Sequence, residues 1–334
     1  MSAAAPAQSS RVRLGFVGLG WIGRKRLDAI ATDAAVEIAA LCDAAAETLQ
    51  EAAKAHPGAS CAASLDELLR HELDGVVIAT PNGAHAAQAL RCLQRGTAVF
   101  CQKPLATTSA DVHRIIAAAR AADRLLGIDF CYRHVAGMNE LKRRLAAGMF
   151  GELTSIDLTF HNAYGPDKQW CFDSGVAGGG CLLDLGVHLL DLALWLQAAP
   201  RLDVATGTRF VQGRRAARGA IEDQAYVELR QTNGAIVRLA CSWYAQIGCD
   251  AVIDMRLLGT KGGAHWRNVG GSFYDFELFA CRGARREVLA RGPDKWGPRA
   301  LAAWAHQLAR DRRFDPAADA IAHSADLIDA VYAA

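Results

Sequence analysis

Along the first third of the chain, apolar and polar positions come in blocks. Short apolar runs at Val12 to Val17, Val36 to Cys42, Gly75 to Thr80, Ala98 to Cys101 and Leu125 to Phe130 are each followed by a longer stretch of helical period. Apolar runs of about four to eight residues read as strands buried on both faces, and the stretches between them as helices. Helices are predicted from the glycines after Val17 to about Thr32, then over 44–55, 65–70, 84–95 and 110–122, with a short extended segment near Cys61. This alternation predicts an α/β fold: a doubly wound, mostly parallel sheet whose ligands sit beyond the carboxyl ends of the strands.

After Gly151 the period changes. Leu153 to Asn162 alternates apolar and polar positions, and Tyr226 to Ala240 does so around Asn233-Gly234, a strong hairpin signal. Further strands are expected at 251–258 and 273–281, in a sheet with one buried and one polar face. An amphipathic helix is predicted over Asn139 to Met149, and two helices in the tail from Pro298, broken at Arg313-Phe-Asp-Pro316. Gly178 to Leu196 would form a helix apolar nearly all round, hence buried. The expected organisation is a disordered leader over 1–10, a nucleotide domain over 11–130 and a second domain over 131–334.

Composition narrows the class. Of 334 residues, 51% are hydrophobic and 22% charged, with a net charge of +2, ordinary for a soluble two-domain protein. No basic patch points to nucleic acid; Arg24-Lys25-Arg26 could face a phosphate but reads first as a solvated helix face, and 212–223 reads as a solvated loop whose three arginines could instead bind an anionic substrate such as a nucleotide sugar. No apolar segment looks long and uninterrupted enough to cross a membrane, since the best candidate, 178–196, carries three ionisable residues. The ten cysteines are spread singly without a CxxC pair, which argues against a metal site and for buried thiols in a reducing cytoplasm.

The chemistry collects in four places. Gly18-Leu-Gly20-Trp21-Ile22-Gly23 follows the first strand and opens a helix, the context in which GxGxxG cradles a pyrophosphate. Asp43 ends the second strand, where a carboxylate accepts ribose hydroxyls and repels a 2′-phosphate, so NAD is favoured and NADP remains possible. The loops Thr80-Pro81-Asn82 with His85, and Gln102-Lys103-Pro104, follow later strands. In the buried helix, Asp184, His188 and Asp191 stand at i, i+4 and i+7, one face by α-helical spacing, where an imidazole and carboxylates can pair with each other or with a ligand. His161 and Asn162 end a strand expected to point towards that helix.

In order and spacing, these motifs resemble the Gfo/Idh/MocA family of oxidoreductases: the glycine loop, Asp43, Thr80-Pro81-Asn82 with His85, Lys103-Pro104, and Gly178-Gly-Gly-x-Leu-x-Asp184-x-Gly186-x-His188-x-x-Asp191. The resemblance implies an N-terminal Rossmann domain and a second α/β domain with an open, largely antiparallel sheet used in many members for oligomerisation, here a dimer or tetramer. It also implies an active site between the domains and a last helix that packs back near the nucleotide domain. Lys103, Asp184 and His188 would be catalytic by that likeness, and Trp170 would match a tryptophan that often precedes the helix. Gln102 departs from the family's usual Glu and removes a carboxylate that would hold the lysine charged.

The expected function is hydride transfer between NAD(P) and a carbinol or carbonyl carbon of a sugar, cyclitol or similar polyol. Either His188 or Lys103 takes the hydroxyl proton, with His188 oriented by Asp184 or Asp191. His161, Trp170 and Asp191 are further candidates for substrate contact. Two rivals are an NAD-retaining hydrolase or epimerase working by transient oxidation, and a non-catalytic NAD sensor.

Overall fold

The structure, a computed structural model, describes residues 11–198 and 200–334; the leader expected over 1–10 lies outside the described residues. The first half alternates as its blocks predict: β1 (Val12–Val17), α1 (Trp21–Ile30), β2 (Val36–Cys42), α2 (Ala46–Ala55), β3 (Ser60–Ala62), α3 (Leu65–Leu68), β4 (Gly75–Ile78), α4 (Asn82–Gln94), β5 (Ala98–Cys101), α5 (Ser109–Ala122) and β6 (Leu126–Ile128). The six strands pair in parallel in the order β3-β2-β1-β4-β5-β6. Chain order reverses at β1, and the crevice that opens there is where such sheets take their ligands.

The second half runs α6 (Met138–Ala146), β7 (Leu153–Asn162), α7 (Ser174–Ala177), α8 (Val187–Leu196), β8 (Leu202–Val211), β9 (Arg214–Arg215), β10 (Gln224–Gln231), β11 (Ile236–Ser242), β12 (Ala251–Gly259), β13 (Gly263–Asn268), β14 (Phe276–Arg282), β15 (Arg285–Ala290), α9 (Arg299–Arg310) and α10 (Asp319–Ala333). Its nine strands are ordered β15-β14-β13-β12-β7-β11-β10-β8-β9, and all pairs are antiparallel except β11 with β7. Alternate residues of β10 and β12, such as Val227, Leu229, Ile253 and Met255, are buried on the inner face, which packs on α8. Tyr226 and Leu258, one position out of phase, are exposed on the outer face. The predicted hairpin is β10–β11, with Gly234 at φ 88° in its turn.

The two tail helices serve the nucleotide domain. Trp304 of α9 packs on Phe100 of β5 with ring centroids 5.6 Å apart. The α10 helix lies along α5, joined by the Arg120–Asp319 ion pair and by the Ser109 amide donating to Asp329 at 2.7 Å.

The central apolar helix departs from expectation in two ways. It is preceded by α7, which ends at Gly178 with φ 79°, and its first turn, Leu182–Gly186, is a π-helix. The span Ser174–Leu196 is long and apolar enough to cross a membrane by length and composition, which corrects the expectation that no segment is. Of its most apolar window, 89% is buried inside the protein, the position of a core helix.

Candidate active site

The glycine loop lies at the sheet's switch point, and its three glycines face different things. Gly18 has φ 85°, and a Cβ there would stand 2.5 Å from the Ala79 carbonyl carbon. At Gly23 a Cβ would stand 2.0 Å from the Gly18 oxygen, so the helix could not approach β1. Gly20 is different: a Cβ there meets nothing within 4 Å, because this glycine faces a cleft of about 1180 Å³. Among the described residues no side chain caps the first turn of α1. Bare backbone open to the cleft, with uncapped helix amides behind it, is the cradle that a dinucleotide pyrophosphate fits.

The cleft runs from this loop across Asp43, Ala44, Thr80 and Pro81 to Asn162, Trp170, Asp184 and Trp243 of the second domain. Trp21 and Ile22 also line it, Trp21 at the rim with Lys25 over its ring at 4.1 Å. Asp43 accepts from the Leu19 amide at 2.6 Å and the Ala45 amide at 2.8 Å, which fixes its carboxylate at the end of β2. The described cleft residues next to it in sequence, Cys42, Ala44 and Ala45, and the neighbouring Ala63 to Leu65 carry no positive charge, so a 2′-phosphate there would meet the Asp43 anion.

The reactive cluster forms where β5 and the central helix meet. Lys103 Nζ donates to the Asp184 carboxylate at 2.6 Å and to its main-chain carbonyl at 2.7 Å. In an α-helix that carbonyl would be taken by the amide four residues on; it lies in the π-helical turn, a common signature of functional sites. The other Asp184 oxygen accepts from the Trp243 indole N–H at 3.1 Å. The carboxylate that Gln102 lacks is thus supplied to Lys103 by Asp184.

His188 is buried edge-on against Tyr132, with ring centroids 5.1 Å apart. Its Nδ1 has no partner among the described residues. Burial, reinforced by the nearby charges of Lys103 and Arg26, holds its pKa well below the ordinary histidine value, so the ring is neutral near pH 7.

Several sequence expectations are corrected here. Neither Asp184 nor Asp191 hydrogen-bonds His188: Asp184 is held by Lys103 and Trp243, and Asp191 accepts from Nε and Nη2 of Arg133, away from the cleft. The π turn shifts the register of the helix, so the one-face spacing assumed for an α-helix does not hold. His85 is buried rather than placed at the cofactor, with Nδ1 2.7 Å from the Pro104 carbonyl and Nε2 2.7 Å from that of Thr80, and so ties the two loops together. Asn82 donates to the Ala177 carbonyl at 3.0 Å and anchors α7. His161 sits against Ser242 Oγ at 2.7 Å, behind the cleft-lining Asn162, while Trp170 does line the cleft.

Arg26, expected on a solvated face, is buried: its Nε donates to Asp129 at 2.7 Å, and the Gln102 amide donates to the same oxygen at 2.5 Å. Glu222, expected in a solvated loop, is fully buried. Its carboxylate accepts from the Leu182 amide at 2.9 Å, the Gly180 amide at 3.2 Å and the Tyr332 hydroxyl at 2.9 Å. A Cβ at Gly180 would stand 1.9 Å from the Glu222 carbonyl oxygen, which is why glycine precedes the helix there. Sequence reasoning also missed Trp243 and Tyr132, which only the fold brings to the cluster.

A parallel sheet with a glycine-lined crevice at its switch point, whose far wall carries a carboxylate, Asp184, with Lys103 bound to it, is the architecture of a dinucleotide-dependent oxidoreductase. Residues 12–130 match the family described as "Oxidoreductase family, NAD-binding Rossmann fold", and residues 138–265 match the GFO/IDH/MocA C-terminal domain. The chain belongs to the Gfo/Idh/MocA family. It is 26% identical over 270 residues, 77% of each chain, to D-glucoside 3-dehydrogenase of Escherichia coli (strain K12). It is 28% identical over 322 residues, 87% of this chain and 90% of the other, to inositol 2-dehydrogenase 2 of Saccharopolyspora erythraea. The fold matches that of levoglucosan dehydrogenase, solved with NADH and levoglucosan, with a TM-score of 0.81 at 20% identity over 96% of each chain.

Proposed function

We propose that the protein is an NAD-dependent dehydrogenase or reductase of a secondary alcohol carbon in a sugar, cyclitol or related polyol. The observation that carries this reading is the Lys103 ammonium, held at 2.6 Å by Asp184, a wall residue of the nucleotide cleft, and near a buried imidazole. NAD, when bound, supplies the hydride acceptor. Lys103 donates a hydrogen bond to the substrate oxygen and stabilises negative charge as its proton leaves. Asp184 holds Lys103 in place, and Trp243 holds Asp184. His188, kept neutral by burial, takes the proton. Trp170, Tyr164 and Trp243 wall the cleft on the second-domain side, where they stack on the C–H face of a sugar ring and exclude water. Asp43 makes NAD the preferred cofactor over NADP.

The cytoplasm is the compartment that fits ten free thiols. The outer face of the nine-stranded sheet, with Tyr226, Leu258 and Val288 exposed, is where a second copy would pair, and sedimentation tests that.

The deciding experiment follows formation of reduced nicotinamide, with NAD and NADP supplied separately, over aldoses, inositols and sugar acids. NADH appearing with one substrate class, and lost in Asp184→Asn and His188→Ala, is the expected result. Retained NAD with no net NADH formation would replace this reading by transient oxidation. NAD binding that responds to sugars without any turnover would replace it by a sensor.

A further inference from the structure

We propose that a cavity on the far side of Trp243 is a second sugar-ring site, so that the substrate is a neutral glycoside. The inference rests on the reading that the cleft oxidises a sugar or cyclitol. The cavity, about 490 Å³, is lined by the Gln212-Gly213 turn, Asp223, Gln224 and the segment Ser242 to Gln246. Trp243 lines both this cavity and the cleft, and its indole N–H reaches Asp184. The partition between them is thin. Tyr244 packs on the cleft residue Gly165 so closely that a Cβ there would stand 2.3 Å from the tyrosine oxygen, and the Ala245 amide donates to the Asn162 carbonyl at 2.8 Å.

The lining matches a hydroxylated, uncharged ring. Three glutamine amides both donate and accept, Asp223 adds an acceptor, and Tyr244, 49% exposed, offers an aromatic ring. No lysine or arginine is among the lining residues, so a phosphate or carboxylate would meet Asp223 without a cation. Arg214 and Arg215 lie on β9 outside the lining, and Arg218 lines a different cavity, which tells against a nucleotide sugar. Tyr244 also has φ 59°, a left-handed conformation that is an outlier for a bulky residue. Glycine would hold that backbone at lower cost, so this chain carries an aromatic ring under local strain at the cavity's edge.

The test compares glucose, trehalose, maltose, cellobiose, sucrose and, as a charged control, UDP-glucose, using wild type, Gln246→Ala and Tyr244→Gly. We expect one neutral disaccharide to exceed glucose in kcat/KM. Gln246→Ala should lower that ratio by between about twofold and tenfold, the worth of one neutral hydrogen bond. Tyr244→Gly should lower it too, with an unchanged or higher Tm because strain is relieved. Ratios that are the same in all three proteins, or a preference for UDP-glucose, would overturn the proposal. Should no sugar be oxidised, calorimetric titration with the same disaccharides separates the two readings. Binding weakened by Gln246→Ala keeps the second site while the redox reading falls. No binding to wild type, or a change of oligomeric mass in Gln246→Ala showing that a second copy fills the cavity, removes the site.

Discussion

Two charged clusters in this protein have almost the same internal geometry and opposite surroundings. Arg26, Asp129 and Gln102 are joined at 2.7 and 2.5 Å; Lys103, Asp184 and Trp243 at 2.6 and 3.1 Å. In the first, the ion-paired side chains are 9% and 1% exposed; in the second, 18% and 38%, with Asp184 on the wall of the cleft. The close ion pair is therefore not what marks a site. The sealed pair meets its charge inside the protein and ties helix α1, through Arg26, to the end of β6, through Asp129. A pair open to a cleft still has a donor that a substrate oxygen can reach, and that difference separates scaffold from chemistry.

The largest effect should come from breaking the sealed cluster. Asp129→Ala leaves Arg26 buried without a counter-ion, and we expect a loss of about 3–5 kcal/mol in denaturant unfolding, the usual cost of orphaning a buried charge. A loss under about 1 kcal/mol, as for an exposed pair, would erase the contrast. Lys103→Met should do the reverse. Turnover should fall by about a hundredfold to a thousandfold, as when a charge-stabilising donor is removed from an active site, while unfolding changes little. A Lys103→Met protein with near-normal kcat would remove the lysine from the chemistry.

Gln102→Glu sharpens the comparison because it restores the residue that the family resemblance leads one to expect. Here it would set a second carboxylate against Asp129, where the amide now donates. Destabilisation of about 1–3 kcal/mol is expected, the cost of replacing a buried donor by a group that cannot donate. Asp129→Asn in the same chain should recover most of it. Additive losses in the double mutant would show that the two side chains do not face each other.

How much of this was legible beforehand divides along the same line. The parallel sheet, the hairpin and the glycine loop follow from periods of apolar residues and from glycine's local chemistry, both of which are written in short windows of sequence. Lys103 was legible because a loop after a buried strand has one place to go. The pairing of Asp184 was not, because a π turn at Leu182–Gly186 rotates it away from the face that α spacing assigns, and nothing in the local composition announces such a turn. Glu222 and Arg26 were misread for a related reason. A charged residue in a polar stretch looks solvated until a partner far along the chain, the Gly180 amide for one and Asp129 for the other, is brought against it. Trp243 and Tyr132 gave no local signal at all.

The smallest effect concerns His188, and it tests whether the imidazole is neutral in the folded protein. Burial, with Lys103 and Arg26 nearby, lowers its pKa in the native state, while in the unfolded chain it titrates near its ordinary value of about 6.5. Below that value the unfolded chain binds a proton that the folded one refuses, so the contribution of His188 to stability is present at neutral pH and is lost as the pH falls. His85, His134 and His161 are also lowered by burial, but all three remain in a His188→Gln variant and cancel in the difference. Between about pH 7.5 and 5.5, wild type should lose about 1.4 kcal/mol more than His188→Gln in urea unfolding, the linkage of one proton over that interval. Parallel pH profiles would mean that the folded protein protonates His188 as readily as water does. The imidazole would then be charged over part of the working range and could not act there as the proton acceptor.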